Sequence, residues 1–313
     1  VFDWLRGSTR QAACECFLDS RAGSAMKLLL TGAEGNFGSE LCKQAAATNA
    51  AGVIAVGRQD WGAIDEKIAA AELVVHAASD LRTSASLEPY RLLDSNLMST
   101  ATLLEASRRH GLKRFVLISS CAVYGEDMRT GEDSLCCPIT INGISKHLNE
   151  KLVAEFCTAN RIEYQILRVF NTYGGRDRFS IFSKLKNALV RGTPFTLNNE
   201  GRMQRDFIHV SDVAAVVLSL ATGTTRHRHL NIGTGVATKV SKLVAMVAGQ
   251  FPGLVIQPGV AQEAEYSRAD TSRLGELWSG RFIGVEDYIR GTFADEVAAA
   301  RSAQALESCG QGR

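Results

Sequence analysis

The segment with the clearest chemical potential is a glycine-rich loop near residue 30. An apolar run, residues 27–31, leads into Gly32, Gly35 and Gly38, and a helix-compatible segment, residues 39–47, comes next. In a strand–loop–helix of this kind the glycines permit a tight turn and a close approach of backbone to a diphosphate, whose charge the first helical amides attract. The pattern favours a dinucleotide site, although an ordinary glycine turn would contain the same residues.

Two further places combine polar side chains with a suggestive position. The apolar strand predicted over residues 115–118 ends at Ser119 and Ser120, and ligands of open α/β sheets bind at the carboxyl ends of parallel strands. Asn142 and Lys146 stand four residues apart, a spacing that puts both side chains on one face of a helix. We therefore expect these side chains to face a ligand.

The end of the strand predicted over residues 52–57 bears on the choice of coenzyme. In a doubly wound fold this strand end lies near the adenosine ribose, where an acidic residue favours NAD and an arginine can pair with the 2′-phosphate of NADP. Here Gly57 and Arg58 occupy that place, which favours NADP over NAD. Asp60 is close enough to favour the opposite choice, and Arg58 could equally be a solvated surface residue.

Composition limits the classes of function. The chain has 313 residues, of which 45% are hydrophobic and 22% charged, and a net charge of only +2. A near-zero charge argues against nucleic acid as a partner, and no apolar run reaches the ~18 residues of a membrane span. The eight cysteines include close pairs and no CxxC spacing, so we predict no metal site, reduced thiols and a cytoplasmic location.

The first 25 residues differ in pattern from the rest of the chain. They show no sustained period, and Met26 stands immediately before the first predicted strand. We interpret residues 1–25 as an extension that is not part of the fold, with Met26 as a natural start. The alternative is a short docking helix around residues 11–18.

Helical and extended patterns alternate along the rest of the chain. Strands are predicted at 27–31, 52–57, 72–78, 115–118 and 164–170, and helices at 39–47, 63–71, 90–109 and 143–157. This order predicts a parallel sheet with right-handed crossovers. The gap between residues 57 and 72 is short, so the strand that usually intervenes is expected to be absent or reduced. After Arg176 the pattern changes, and the alanine-rich tail from Asp295 shows none.

Taken together, these motifs resemble those of the extended short-chain dehydrogenase/reductase family, in particular its nucleotide-sugar epimerase, dehydratase and reductase branch. The match keeps the family's order and spans most of residues 26–292. The motifs that carry it are 31–38 (TGAEGNFG), 75–78 (VHAA), 119–125 (SSCAVYG), 143–146 (GISK), 168–174 (RVFNTYG) and 205–213 (RDFIHVSDV).

The resemblance implies an α/β fold: a Rossmann-type doubly wound parallel sheet over residues 26–170, and a smaller, mainly C-terminal α/β substrate lobe over residues 171–313 with some return of chain to the first domain. It implies NADP or NAD as coenzyme, a nucleoside-diphosphate sugar as substrate, and a homodimer built on the helices at 90–109 and 143–157. The implied coenzyme contacts are Gly32, Gly35, Asn36, Phe37, Gly38, Arg58, Ala77, Ala78, Asn96 and Lys146. The implied substrate contacts are Ser120, Asn171 and Arg205, with Ser120 and Lys146 also catalytic.

One departure from the family pattern concerns the proton. The family's acid–base group is a tyrosine four residues before the lysine, and here Asn142 stands there. An amide neither gives nor takes a proton near neutral pH, but it can orient a hydroxyl or a water. Three accounts stay open: a substitute proton carrier (Lys146, Cys121, or a water held by Asn142 and Ser120), a reaction that needs none, or binding without turnover.

Residues next to Ser120 narrow the chemistry that the resemblance implies. Family dehydratases place an Asp-Glu pair directly after the catalytic Ser or Thr, where this chain has Cys121 and Ala122, so ordinary dehydration is disfavoured. The reaction expected is that of a 4-epimerase or a keto-reductase. The alternatives are a catalytically silent binding protein and a reductase of a non-sugar carbonyl. The family's second substrate-phosphate arginine has no counterpart in place, since Arg268 stands too close to the segment that it should precede.

Overall fold

The computed structural model describes residues 26–80, 93–128, 131–223, 226–261 and 264–310. The extension predicted for residues 1–25 and the start of the helix predicted at 90–109 lie outside these ranges. Among the described residues, no helix combines the length and the apolar character needed to cross a bilayer.

The strands and helices predicted up to residue 170 are present, and further strands lie between and after them. The strands are β1 (Lys27–Thr31), β2 (Gly52–Val56), β3 (Leu73–His76), β4 (Arg114–Ser120), β5 (Asp127–Met128), β6 (Glu163–Val169), β7 (Asn171–Tyr173), β8 (Phe195–Asn198), β9 (Gln204–His209), β10 (His229–Ile232), β11 (Ala237–Lys239), β12 (Ile256–Gly259) and β13 (Tyr266–Ser267). The helices are α1 (Asn36–Thr48), α2 (Ile64–Ala69), α3 (Ser99–Arg109), α4 (Ile141–Ala159), α5 (Ile181–Arg191), α6 (Val210–Thr222), α7 (Val240–Gln250), α8 (Ser272–Gly275), α9 (Val285–Tyr288) and α10 (Ala294–Gly310).

A parallel sheet of six described strands forms the first layer of the fold, in the order β2-β1-β3-β4-β6-β10. The strand order reverses beside β1, which is the point where doubly wound sheets bind ligands. This confirms the predicted Rossmann-type sheet. Within the described ranges no strand pairs with the outer edge of β2, consistent with the short connection between β2 and β3.

Alternation along the strands builds a core on each face of this sheet. Leu28 and Leu30 of β1 pack on one side with α1 and α6, whereas Leu29 packs on the other side with α3 and α4. Because successive side chains of a strand point to opposite faces, one apolar run supplies both cores. The sheet is covered on both sides, and its carboxyl edge is left open to a ligand.

Most of the remaining elements pack around a separate core of aromatic side chains, and we call these the second lobe. They are β7, β8, β9, β11, β12, β13, α5, α7, α9 and α10. Tyr173, Phe182, Phe207 and Tyr288 form one buried cluster, in which the rings of Tyr173 and Phe182 stack with centroids 4.6 Å apart. β9 pairs with β7, β11 and β13, and β8 pairs with β12. β10 returns to the edge of the large sheet and α6 packs against α1, so the chain passes between the lobes more than once.

The C-terminal helix α10 is the main departure from the sequence-based expectation, which gave no pattern beyond Asp295. Its alanines favour a helix by propensity alone, and its buried side packs on the aromatic cluster of the second lobe. Val297 is buried, Arg301 donates to the Leu189 carbonyl oxygen at 3.0 Å, and Glu296 pairs with Lys186 at 2.7 Å.

Candidate functional site

A large cleft of about 1780 Å³ lies along the carboxyl edge of the six-stranded sheet and is closed on its other side by the second lobe. It brings together residues that are as distant in the sequence as Gly32 and Arg205. The predicted site residues that line it are Gly32, Gly35, Asn36, Phe37, Gly38, Arg58, Ala77, Ala78, Ser120, Asn142, Lys146, Asn171 and Arg205.

The glycine loop leaves no room for side chains. Gly32 has φ +73°, and a Cβ atom built on it would lie 2.9 Å from the Ala78 backbone nitrogen. A Cβ atom on Gly38 would lie 2.2 Å from the Gly32 carbonyl oxygen. The backbone at Gly32 and Gly38 is therefore packed so closely, against the segment after β3 and within the loop itself, that no side chain fits at either position.

The first turn of α1 faces the same cleft. No side chain caps this helix, and the first i to i−4 bond runs from the Ser39 amide to the Gly35 carbonyl oxygen. The amides of Phe37 and Gly38 precede that bond, and the positive end of the helix dipole lies there. These features fit a dinucleotide diphosphate. The free amides can donate to its phosphate oxygens, and the glycines let the phosphates approach the backbone closely.

Asn36 links the two lobes. Its side-chain oxygen accepts from the Arg176 amide at 2.6 Å, and its side-chain nitrogen donates to the Gly174 carbonyl oxygen at 3.0 Å. Both ends of the amide are thus used by the loop that follows β7. Asn36 lines the cleft through its position at the start of α1 and brings Arg176 beside the glycine loop.

The carboxyl end of β3 is held by buried polar contacts. The Thr31 hydroxyl accepts from the amides of Ala77 and Ala78 and contacts His76, whose other ring nitrogen contacts Thr100. Burial lowers the pKa of His76 to about 3, so its ring is neutral. These contacts fix the position of Ala77 and Ala78 on the cleft wall.

Asn96 lies behind this strand end. It is buried, accepts from the Asp80 amide at 2.8 Å and donates to the Ser145 hydroxyl at 3.1 Å. It is not among the described residues that line the cleft. Its side chain therefore joins the strand end to α4.

Ser120 occupies the end of β4 and begins a short 3₁₀ turn, Cys121–Tyr124. Its hydroxyl oxygen accepts from the Ala122 amide at 3.2 Å, so the residue does act as a helix cap. The hydroxyl also lines the cleft and keeps its proton for a further acceptor. The capping bond fixes the direction of the side chain without using up its capacity to contact a ligand.

α4 places Asn142 and Lys146 in the cleft. Thr140 caps the helix by accepting from the Gly143 amide at 3.1 Å, and Asn142 therefore lies in the first turn. Lys146 is buried and donates to the Ile118 carbonyl oxygen at 3.0 Å. Burial lowers the pKa of Lys146 to about 8, opposed by the nearby Glu150 carboxylate, so part of this amine is neutral in mildly basic solution.

Cys121 lies beside Ser120 on the cleft wall but is poorly suited to proton transfer. The residue is buried, and desolvation raises the pKa of its thiol to about 11. It packs in a small apolar cluster with Val123 and Phe170. Of the candidate proton carriers, the geometry and pKa values favour Lys146 over Cys121.

A buried ion pair between Arg168 and Glu150 connects α4 to the six-stranded sheet. Arg168 of β6 donates to both carboxylate oxygens of Glu150, with Nη2 2.8 Å from Oε2, and also donates to the Tyr124 hydroxyl at 3.0 Å. Glu150, Cys136 and His147 are the one group of potential metal ligands that the described residues bring within 4.8 Å of one another. Because Arg168 already holds the Glu150 carboxylate, this group is part of the structural network.

The second lobe contributes positively charged and amide side chains. The Asn171 side-chain nitrogen donates to the Asp206 carbonyl oxygen at 3.0 Å, and Arg205 is half-buried on the cleft wall with Nη1 3.0 Å from the Gln204 carbonyl oxygen. Three further cationic side chains of the cleft wall were not predicted from the sequence, and all are exposed. They are Arg176, Arg178 and Lys184. Together with Arg205 they make this side of the cleft suitable for phosphate groups.

Comparisons with known proteins agree with this geometry. The family model described as "NAD dependent epimerase/dehydratase family" matches residues 28–233. A Bacillus subtilis (strain 168) protein named "Uncharacterized UDP-glucose epimerase YtcB" is 27% identical over 289 residues, which cover 80% of this chain and 92% of the relative. A Methanocaldococcus jannaschii protein named "Putative UDP-glucose 4-epimerase" is 30% identical over 225 residues, 69% of this chain and 70% of the relative.

A solved structure extends the likeness to three dimensions. "MoeE5 in complex with UDP-glucose and NAD" is 28% identical and superimposes with a TM-score of 0.78, covering 90% of this chain and 99% of that one. The same protein in complex with UDP-glucuronic acid and NAD has a TM-score of 0.77 at 27% identity, over 86% of this chain and 99% of that one.

Proposed function

Because the chain belongs to the NAD dependent epimerase/dehydratase family, we propose that it transfers hydride at a carbon of a nucleoside-diphosphate sugar, as a 4-epimerase or a keto-reductase. The observation that carries the proposal is the shared cleft, in which the glycine loop, Ser120, Lys146 and Arg205 face one space. The ligands named for the MoeE5 structures, NAD with UDP-glucose or UDP-glucuronic acid, make a uridine-diphosphate sugar the first substrate to test.

The two walls of the cleft bind different ligands in the proposed reaction. The glycine loop and the first turn of α1 hold the coenzyme diphosphate, and Lys146 reaches the nicotinamide ribose from α4. Arg205, with the cationic side chains of residues 176–184, holds the sugar-nucleotide diphosphate. When bound, the nicotinamide supplies the acceptor or donor of a hydride. The Ser120 hydroxyl orients the reacting sugar hydroxyl or ketone.

Proton transfer is the step at which this chain departs from the pattern that the family resemblance implies, because Asn142 stands in place of a tyrosine. Oxidation of a carbinol releases one hydride and one proton, and the proton needs an acceptor on the protein. We assign that acceptor to the neutral form of Lys146, which buried surroundings make accessible. Asn142 cannot accept the proton, but its side-chain oxygen can receive a hydrogen bond from the sugar hydroxyl or from a bridging water. In the reductive direction the ammonium returns the proton to the alkoxide oxygen.

Two rival functions lead to different results in one experiment. Purified protein, loaded with coenzyme, is mixed with UDP-glucose, UDP-glucuronic acid and other nucleotide sugars, and nicotinamide absorbance is followed together with sugar product analysis. A new sugar or a change in absorbance supports the proposal. Bound coenzyme with no change across the panel supports a catalytically silent binding protein. Bound coenzyme with no nucleotide sugar bound supports a reductase of a non-sugar carbonyl.

The same proposal includes a homodimer. Ile141, Ile144 and Leu148 lie on one side of α4 and are 42%, 40% and 46% exposed. Apolar side chains grouped on an exposed helix face are typical of an interface. A second copy of the chain that presents the same face would bury both patches.

A further inference from the structure

We infer that Glu34 takes the place of the acidic residue that is missing at the end of β2, and that this carboxylate makes the chain prefer NAD to NADP. The inference rests on the proposed binding of a nicotinamide coenzyme. It reverses the preference that Arg58 alone suggests. Its basis is the position of the Glu34 carboxylate, the state of the neighbouring Asp60 and the charge of the two coenzymes.

The Glu34 carboxylate lies where a side chain of residue 57 would be. A Cβ atom built on Gly57 would lie 2.8 Å from Glu34 Oε1 and 3.1 Å from its Cδ atom. Gly57 directly follows β2, at the strand end that faces the adenosine ribose in a doubly wound fold. An acidic side chain therefore lies at this strand end, although it comes from the glycine loop and not from the strand.

The backbone places residue 34 beside the end of β2, where the Glu34 side chain is exposed. The Gly32 amide donates to the carbonyl oxygen of Val56, the last residue of β2, at 3.1 Å. The Gly35 amide donates to the Gly32 carbonyl oxygen at 2.9 Å, which closes the turn that carries Glu34. The loop and the end of β2 are thus one hydrogen-bonded unit. Glycine at 57 leaves the space that the Glu34 side chain fills.

Asp60, the other acidic candidate, is used by the fold. Its Oδ2 atom accepts from the Gly57 amide at 2.6 Å, its Oδ1 atom pairs with Lys67 at 3.1 Å, and Asp60 does not line the cleft. The bond from the Gly57 amide and the contact with Lys67 lower the pKa of Asp60. Glu34 does line the cleft, and within the described ranges its carboxylate has no hydrogen bond or ion pair.

The two coenzymes differ only at the group that meets this carboxylate. In NAD the ribose presents a 2′-hydroxyl, which can donate to Glu34. In NADP the same position carries a phosphate of about two negative charges, which the carboxylate repels. Arg58 and Glu34 are both exposed where they line the cleft, so the guanidinium can attract that phosphate only beside the opposing carboxylate.

The test compares the two reduced coenzymes in binding. Dissociation constants of NADH and NADPH are measured by fluorescence titration for the wild-type chain, for Glu34→Gln and for the control Glu66→Gln. Glu66 lies exposed on α2 and away from the cleft, so its substitution removes the same charge without touching the site. Thermal melting of each variant checks that the fold is unchanged.

The wild-type chain and Glu66→Gln should bind NADH more tightly than NADPH. Glu34→Gln should shift the ratio of the two dissociation constants towards NADPH by ~10-fold, since the NADH ribose hydroxyl then donates to a neutral amide oxygen and the repulsion of the NADPH phosphate is removed. Tighter binding of NADPH by the wild type, or an unchanged ratio in Glu34→Gln with both coenzymes bound, would overturn the assignment of Glu34. Failure of both coenzymes to bind would overturn the proposed function, and this inference with it.

Discussion

The Oδ1 atom of Asn142 is buried with no hydrogen-bond partner among the described residues, one helical turn before Lys146 on α4. Both side chains line the cleft. An unpaired buried oxygen costs ~1–3 kcal/mol unless a donor reaches it, so the site favours a ligand or a water that donates at this point. The chain thus has an acceptor at the position where the family resemblance implies an acid–base tyrosine.

A tyrosine introduced at position 142 tests how the proton is transferred. We expect Asn142→Tyr to raise turnover of an accepted nucleotide sugar by ~10²-fold, because a phenol one turn before Lys146 can exchange the proton directly. The measurement is the initial rate of sugar conversion at saturating substrate. Asn142→Phe is the matched control, since it has nearly the same size and no hydroxyl. Equal rates for the two variants would show that proton transfer does not limit the reaction.

Removal of the Lys146 amine should abolish turnover. Lys146→Met keeps most of the length of the side chain but has neither a charge for the nicotinamide ribose nor a proton acceptor. We expect no sugar product from this variant, whereas thermal melting should show an intact fold because the methionine remains compatible with the buried position. Unchanged turnover would reject both roles of Lys146.

The pH dependence of the wild-type rate follows from the same residue. Burial lowers the pKa of Lys146 to about 8, and a general base acts only in its neutral form. In the oxidative direction, kcat should therefore be low in acid, rise as the pH passes through this pKa and reach a plateau above it. A profile that stays flat across this range would remove Lys146 as the base and leave it as a coenzyme contact.

Much of the fold could be predicted from sequence because the signals are local. The apolar run before Gly32 and the alternation of strand and helix patterns along the chain indicate a parallel sheet. Helix α10 was missed because its alanines show no apolar stripe. Its place in the fold depends on contacts distant in sequence, such as that of Arg301 with the Leu189 carbonyl oxygen.

The site depends more on contacts that are distant in sequence. Glu34 was not seen as a ribose contact because its carboxylate reaches Gly57 only when the loop docks on β2. Asn36 and Asn96 were predicted to contact the coenzyme, and the structure shows their side chains bonded to backbone and side-chain groups of the protein. Side-chain direction is a property of the assembled fold and not of the motif.

Breaking the buried pair between Arg168 and Glu150 should destabilise the fold. Glu150→Gln would leave the Arg168 guanidinium buried without its counter-ion, which costs ~3–5 kcal/mol in the free energy of unfolding. Chemical denaturation measures the change. Glu105→Gln, which removes one carboxylate from the exposed pair with Arg108, should cost no more than ~1 kcal/mol. Equal effects of the two substitutions would contradict the structural role of the buried pair.

The proposed dimer predicts a charge-sensitive face on α4. Ile144→Glu should convert the protein from dimer to monomer in sedimentation experiments, because a carboxylate cannot be buried against the same apolar patch of a second copy. Ile256→Glu, an equally exposed site on β12, is the control and should leave the dimer intact. A wild-type monomer, or a dimer that tolerates Ile144→Glu, would exclude this interface.

The crystal structure of the chain with NAD bound is the measurement that tests the central claim most directly. The proposed function predicts coenzyme phosphates within hydrogen-bond distance of the Phe37 and Gly38 amides, the adenosine ribose beside Glu34 and the nicotinamide ribose at Lys146. Coenzyme bound elsewhere on the molecule, or a glycine loop covered by protein atoms in crystals grown with saturating NAD, would contradict it.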